Sequence, residues 1–269
     1  MKKDFLSYML KNRTLLRQLI LRDINGRYKG SMLGILWTAI NPLMMLSVYT
    51  LVFSQVFKAR WGGTTTGDET PITFALNLFA GLIVFNIFAE CATKSPTLIT
   101  SNPNFVKKII FPIHTLGGMI TGSACIHGAI SAVILVMAKI IWDGKAPLTA
   151  ALLPIVWLPL IIGCLGMTWI LSWIGVIIKD TSQVINAAVS MLMFLSPIFY
   201  PTSMLPEKIR WIAAINPLVS SIEGTRSILI AGELPKIGGL ITSIFVSLLW
   251  CQICFRILKK SQKTLADIL

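Results

Sequence analysis

The sequence predicts an all-α fold, a polytopic bundle of membrane-spanning helices in a single domain, and three observations carry that prediction. The chain of 269 residues is 55% apolar and only 13% charged, with a mean hydropathy of +0.76, far more apolar than a soluble domain of this size requires. Its apolar residues fall into runs of the length that crosses a bilayer, roughly 20 residues of helix for about 30 Å of hydrocarbon. Its basic residues, which give a formal net charge of +13, collect at the ends of those runs. Charge placed this way orients a chain against the cytoplasmic leaflet and its anionic lipids; a nucleic-acid binder spreads it over a water-soluble surface instead.

Residues 1–32 precede the first apolar run. Leu15, Leu16, Leu19, Ile20, Ile24 and Tyr28 recur at helical spacing while Arg13, Arg17 and Arg22 take other positions, which predicts a cytoplasmic amphipathic helix at the membrane interface. Gly26 and Gly30 then turn the chain into the first span. A plain positive-inside anchor explains the charge here and leaves the length of the helix unexplained. The mixed, charged sequence ahead of the first apolar run, about 30 residues without a small-residue cleavage site, argues against a cleaved leader.

Six spans are predicted, at about 33–57, 72–92, 115–138, 150–178, 183–200 and 237–257, the fifth being the shortest. Within them Gly117, Gly118, Gly122, Ser123, Gly128, Gly163 and Gly166 suit close helix contact. Spans one to five occupy 33–200, and 237–269 forms the last span and a cytoplasmic tail. Between them, 201–236 carries Pro201, Pro206, Pro217 and Pro235 and apolar runs too short to cross, "WIAAI" and "PLVSSI". Re-entrant or interfacial helices on the extracytoplasmic side fit such a segment, and a simple loop is the alternative. Lysines and arginines before the first span, after the second (Lys94, Lys107, Lys108) and after the last (Arg256, Lys259, Lys260, Lys263) place both termini in the cytoplasm.

Chemistry is sparse along this chain. No G-x-x-x-x-G-K-[ST] loop is present to cradle nucleotide phosphates. Glu90 is expected near the cytoplasmic end of its span, and His127 is the one ionisable side chain well inside a span, so the acids of an ion-coupled carrier are missing. His114 and His127 have no metal-ligand spacing to other donors. Cys91, Cys125, Cys164, Cys251 and Cys254 are odd in number and lie mostly within spans, which favours packing over a disulfide or zinc framework. No nucleophile with a positioned base stands out. An energy source must therefore come from a partner, unless the protein is passive.

"LLRQLILRDINGRYKGSMLGILWTAINPLMMLSVYTLVFSQVF", residues 15–57, resembles the start of the membrane subunit of bacterial ABC-2 type polysaccharide exporters, which move O-antigen, capsule or teichoic acid chains. The matching parts are Arg22-Asp23, Arg27-Tyr28-Lys29, Leu33-Gly34 with Leu36-Trp37, and Asn41-Pro42-Leu43 ahead of Val48-Tyr49. "LSPIFYPTSMLPEKIRWIAAINPLVSSIEGTRSILIAG", residues 195–232, is similar to the segment before the last span of the same family.

The resemblance implies a homodimer of this chain with two copies of a separate ATPase, which would hold the ATP and magnesium. A lipid-linked polysaccharide would then pass between the two membrane subunits. It makes the loop after the second span, with Asn102, Pro103, Lys107, Lys108, Phe111 and Pro112, the coupling helix seated in the ATPase, and sets the N-terminal helix, with Arg22, Asp23, Arg27, Tyr28 and Lys29, beside it as a gate. Read from charge alone, the same loop is equally a solvated one whose lysines enforce topology. Aromatic faces that stack on sugar rings would line the pathway, and the candidates are Trp37, Tyr49, Phe53, Phe57, Phe85, Phe88, Phe194, Phe199 and Tyr200. Three other readings stay open: an ABC-2 permease for drugs or lipids, a membrane enzyme of lipid-linked glycan synthesis, and a passive channel.

Overall fold

The computed structural model describes residues 5–53, 71–103, 111–208, 211 and 216–268, and all regular structure among them is helical. In chain order the helices are α1 (Phe5–Lys11), α2 (Arg13–Arg27), α3 (Trp37–Leu51), α4 (Pro71–Lys94) and α5 (His114–Asp143). They are followed by α6 (Leu153–Ile177), α7 (Thr181–Leu195), α8 (Leu218–Arg226) and α9 (Ile237–Ile268).

Five stretches among the described residues are long and apolar enough to cross a membrane: Gly34–Leu51, Ile72–Lys94, His114–Asp143, Leu148–Ile177 and Ile237–Ser261. They correspond to predicted spans one to four and six. The fifth, predicted over 183–200 and expected to be the shortest, is the shorter apolar helix of the set. It is helical over Thr181–Leu195 only, 15 residues, or roughly 22 Å at 1.5 Å per residue. Ser196 leaves the helix with extended backbone (φ −90, ψ 146), because the residue before a proline, here Pro197, is driven out of the α region.

The core forms around α4, whose side chains from Phe74 to Ile87 are buried almost without a break. A helix apolar on every side is expected where neighbours surround it, and α5, α6, α8, α7 and α3 all pack on α4. Small residues set the close approaches. Gly128 of α5 leaves room for Ile87 and Trp157, and Gly166 of α6 faces Trp250 and Cys251 across the extensive α6–α9 contact. Dispersion at short range drives helix association in lipid, where water-exclusion forces between spans vanish, so these glycines matter more than in a soluble core.

The N-terminal segment forms two helices that pack on the bundle. In α1, Phe5 meets the Trp169 ring at 6.3 Å and Tyr8 meets His114 at 5.0 Å. The longer α2 lies lengthwise on α5, with Leu16 over Gly118, Ile20 over Gly122 and Arg27 beside His127. Its Leu19 and Ile24 are buried, and Arg13, Arg17 and Arg22 stay on the exposed side.

Within the predicted re-entrant region, α8 enters between the spans. Pro217, Leu218 and Val219 line a cavity of about 650 Å³ together with Leu160, Gly163 and Trp250 of α6 and α9. From there α8 rises to a π-helical turn, Ser227–Ala231, and a left-handed Gly232 (φ 73).

Candidate functional site

Three elements meet at Arg27. As the last residue of α2 it sits between α4 and α5, and its Nη2 donates to Glu90 of α4 and, at 3.1 Å, to Asp23 one turn back on α2. Nη1 lies 3.0 Å from Nδ1 of His127, near the middle of the 30-residue α5. Glu90 is shared further: Lys94 Nζ donates to its Oε1 at 3.0 Å, and His127 Nδ1 lies 3.5 Å from its Oε2. Burial alone lowers the pKa of Arg27, but the hydrogen bonds and negative charges of Glu90 and Asp23 outweigh it and hold the guanidinium above its ordinary value. The cluster therefore balances two cations against two anions around one imidazole. Arg27 Nε and His127 Nε2 are buried and make no hydrogen bond to other groups among the described residues.

Of the predicted N-terminal residues, Asp23 and Arg27 belong to this cluster and the Tyr28 ring stands 6.4 Å from the His127 ring. Arg22 and Lys29 lie on the exposed side. In the loop after α4, Asn102 Nδ2 donates to the Leu98 carbonyl at 2.9 Å, Pro103 is exposed, and the Pro112 carbonyl accepts from Thr115 at the start of α5. Phe111 is half-buried. Lys107 and Lys108 lie outside the described residues, as does Phe57.

The aromatic candidates fall into separate groups. Tyr49, Phe53 and Phe74 form a line between α3 and α4, with ring centroids 6.5 and 4.9 Å apart. Trp37 opens α3, half-buried. Phe85 is buried in the core with Phe88 at 6.3 Å, and Phe88 borders the cavity beside α8. At the end of α7, Phe194 is 69% exposed and stacks on Phe199 (5.9 Å, 18°), while the Tyr200 hydroxyl donates to the Phe194 carbonyl at 3.2 Å. The α7 helix that leads there is poorly covered: Gln183, Asn186, Ser190 and Phe194, at spacings that share one helix face, are all exposed. Asn86, midway along the otherwise buried α4, is exposed too.

Sequence reasoning left Glu90, His127 and Arg226 out of any site. Arg226, assigned to an extracytoplasmic loop, is 4% exposed. Its Nε donates to the Asn77 carbonyl at 3.0 Å, Nη1 to the Pro197 carbonyl at 2.6 Å and Nη2 to the Ile198 carbonyl at 2.7 Å, with Glu223 at 3.3 Å. Gly81 makes room for the guanidinium, since a Cβ there would stand 2.9 Å from Nη2. For Glu90 and His127 the signal was present, because ionisable residues inside apolar runs pair with one another. It needed Arg27 as the third member.

Comparisons with known proteins agree with this architecture. Over residues 14–230 the chain matches the family model described as ABC-2 type transporter. It is 26% identical over 215 residues to the O-antigen export system permease protein RfbA of Klebsiella pneumoniae, covering 79% of each chain. The protein of the same name from Myxococcus xanthus is 26% identical over 242 residues, 88% of this chain and 89% of that one. The polysialic acid transport protein KpsM of Escherichia coli is 25% identical over 219 residues, 81% and 82% of the two chains. With the family match running from α2 to the turn after α8, the chain belongs to the ABC-2 type transporter family.

Proposed function

We propose that this chain is the permease subunit of an ABC exporter that carries a bacterial cell-surface polysaccharide across the cytoplasmic membrane. Both its termini are cytoplasmic, and ATP with magnesium is hydrolysed on a separate partner chain. The names of its relatives, O-antigen and polysialic acid transporters, supply the substrate class. The observation that carries the reading is the α7 face. Gln183 and Asn186 present amides outward from a helix in an apolar bundle, Ser190, whose hydroxyl donates to the Asn186 carbonyl at 2.9 Å, continues the line, and it ends in the exposed Phe194. Lipid cannot satisfy such groups. A second copy of the chain and a hydrated path between the two copies can, and amides, hydroxyls and aromatic faces are the groups that let a sugar chain slide by exchanging weak contacts.

The helix is also too short to serve as a lipid-facing wall (15 residues), which suits a position at the lumen. In this arrangement the loop 94–112 docks on the ATPase, with Lys107 and Lys108 at the contact. The double substitution Lys107→Glu and Lys108→Glu releases the ATPase from the membrane subunit and leaves the bundle folded; co-purification at the wild-type level would remove that docking assignment.

Deletion of the gene, followed by electrophoresis of surface and cytoplasmic glycans, tests the whole reading. Loss of surface polymer with accumulation of lipid-linked polymer inside is the expected result. Loss from both compartments would point to synthesis, and no change in either would point to a drug or lipid permease.

A further inference from the structure

We propose that Arg27, Glu90 and His127 form a latch that passes movement of the segment after α4 into the turn between α2 and α3. The inference builds on the ATP-driven permease reading and names residues that would position the moving parts.

The latch lies between a joint and a lever. Three residues past Arg27, Gly30 has φ +87, and Gly34 follows with φ +51 before α3 begins at Trp37. Glycine occupies the left-handed region without penalty, so these positions form a two-point joint at the foot of the first span. On the other side, Glu90 and Lys94 occupy the last turns of α4, directly ahead of Ser95–Asn102. That segment is tied to α4 and does not swing freely: Ser95 Oγ donates to the Cys91 carbonyl, and Leu98 and Asn102 continue the turn with bonds to Ser95 and Ile99. It is also seated on α6, where Gly175 meets the Pro96 backbone so closely that a Cβ has no space. A push on the following segment therefore displaces the end of α4, and the Glu90 carboxylate with it.

The charges allow two arrangements. Arg27 holds both Glu90 and Asp23, and Glu90 holds both Arg27 and Lys94. When Arg27 parts from Glu90, each keeps a partner on its own helix, so neither is left as a bare buried charge. Bistability of this kind is what lets a small displacement become a discrete change, and an element that two regions both bias is the physical requirement for coupling.

The test uses the complete complex of this chain with its ATPase and measures polymer reaching the surface per ATP hydrolysed. Glu90→Gln keeps the shape and removes the charge, and is expected to lower that ratio about ten-fold, the size of a typical coupling between sites. Glu90→Asp, which retains the charge, is expected to recover most of it. Where Glu90→Gln reduces the amount of assembled complex, Arg27→Lys is read on the same ratio and decides. Export and hydrolysis falling together at a constant ratio, or a ratio at the wild-type value, overturns the latch. A wild-type complex that hydrolyses ATP and exports no polymer overturns the permease reading, and the latch falls with it.

Discussion

Two arginines are held between helices at opposite ends of α4, and they are held differently. Arg226 is 4% exposed and reaches three backbone carbonyls, of Asn77, Pro197 and Ile198. Arg27, whose side chain is 22% exposed, is held by carboxylates and an imidazole. A carbonyl in the backbone moves only when its helix or turn moves, so Arg226 staples α8 to α4 and to the turn that ends α7. Side-chain partners can be exchanged one for another, so Arg27 can change allegiance without the fold coming apart. The end beside α8 is built to stay, and the end beside the N-terminal helix is built to shift.

The largest expected effect breaks this comparison at its rigid end. Arg226→Ala leaves the Pro197 and Ile198 carbonyls and Glu223 without their cation, a loss of about 3–5 kcal/mol by analogy with one-sided removal from buried charged networks. Protease resistance and the apparent unfolding temperature of the detergent-solubilised protein report it. Arg226→Lys keeps the charge, but its single ammonium nitrogen cannot reach the carbonyls that Nε, Nη1 and Nη2 bind separately, so it is expected between the two. Wild-type stability in Arg226→Ala would place both arginines in one class.

A smaller effect sharpens the movable end. Gly175→Ala drives a Cβ into the Pro96 backbone, which cannot yield as a side chain can, and is expected to cost about 1–3 kcal/mol as overpacking. Gly122→Ala meets the Ile20 side chain, Cδ1 and Cγ1, and no backbone, so the clash falls on a side chain of α2 and leaves the segment after α4 in place. The first substitution is expected to weaken ATPase co-purification by shifting the segment after α4, the second to leave it near wild type. Equal effects would mean that the seat under Pro96 carries no special constraint.

Much of the bundle was legible in the sequence because bilayer thickness sets a length scale that composition alone reveals. The spans, the helical N-terminal segment and the close-contact glycines Gly118, Gly122, Gly128 and Gly166 all follow from that and from periodicity. The end of α7 was legible too, since Ser196 precedes Pro197, but an apolar run of 183–200 outweighed it. The pairings were not legible. Arg27 lies 63 residues from Glu90 and 100 from His127, and Arg226 lies 149 from Asn77; periodicity tells which face of a helix is polar, never which helix it will meet. The same blindness made Phe85 and Phe194 equal candidates for the pathway, although one is 4% exposed and the other 69%.

The smallest expected effect probes whether the rigidity of the α8 end resides in Arg226 alone. Trp157 Nε1 on α6 donates to Thr225 Oγ1 at 3.0 Å, and the same hydroxyl donates to the Ser221 carbonyl at 2.6 Å, so Thr225 stands in a buried relay next to the staple. Thr225→Val preserves the shape and strands the indole N–H, a loss of about 1–2 kcal/mol for an unpaired buried donor. Thr225→Ser keeps the hydroxyl and gives up one methyl, which is expected to cost less than the hydroxyl does. Unfolding temperatures ordered wild type, Ser, Val would show that α8 is fixed by two independent polar ties, one to α4 and one to α6. The reverse order would mean that the methyl packing matters more than the hydrogen bond, and that the polar anchoring of α8 rests on Arg226.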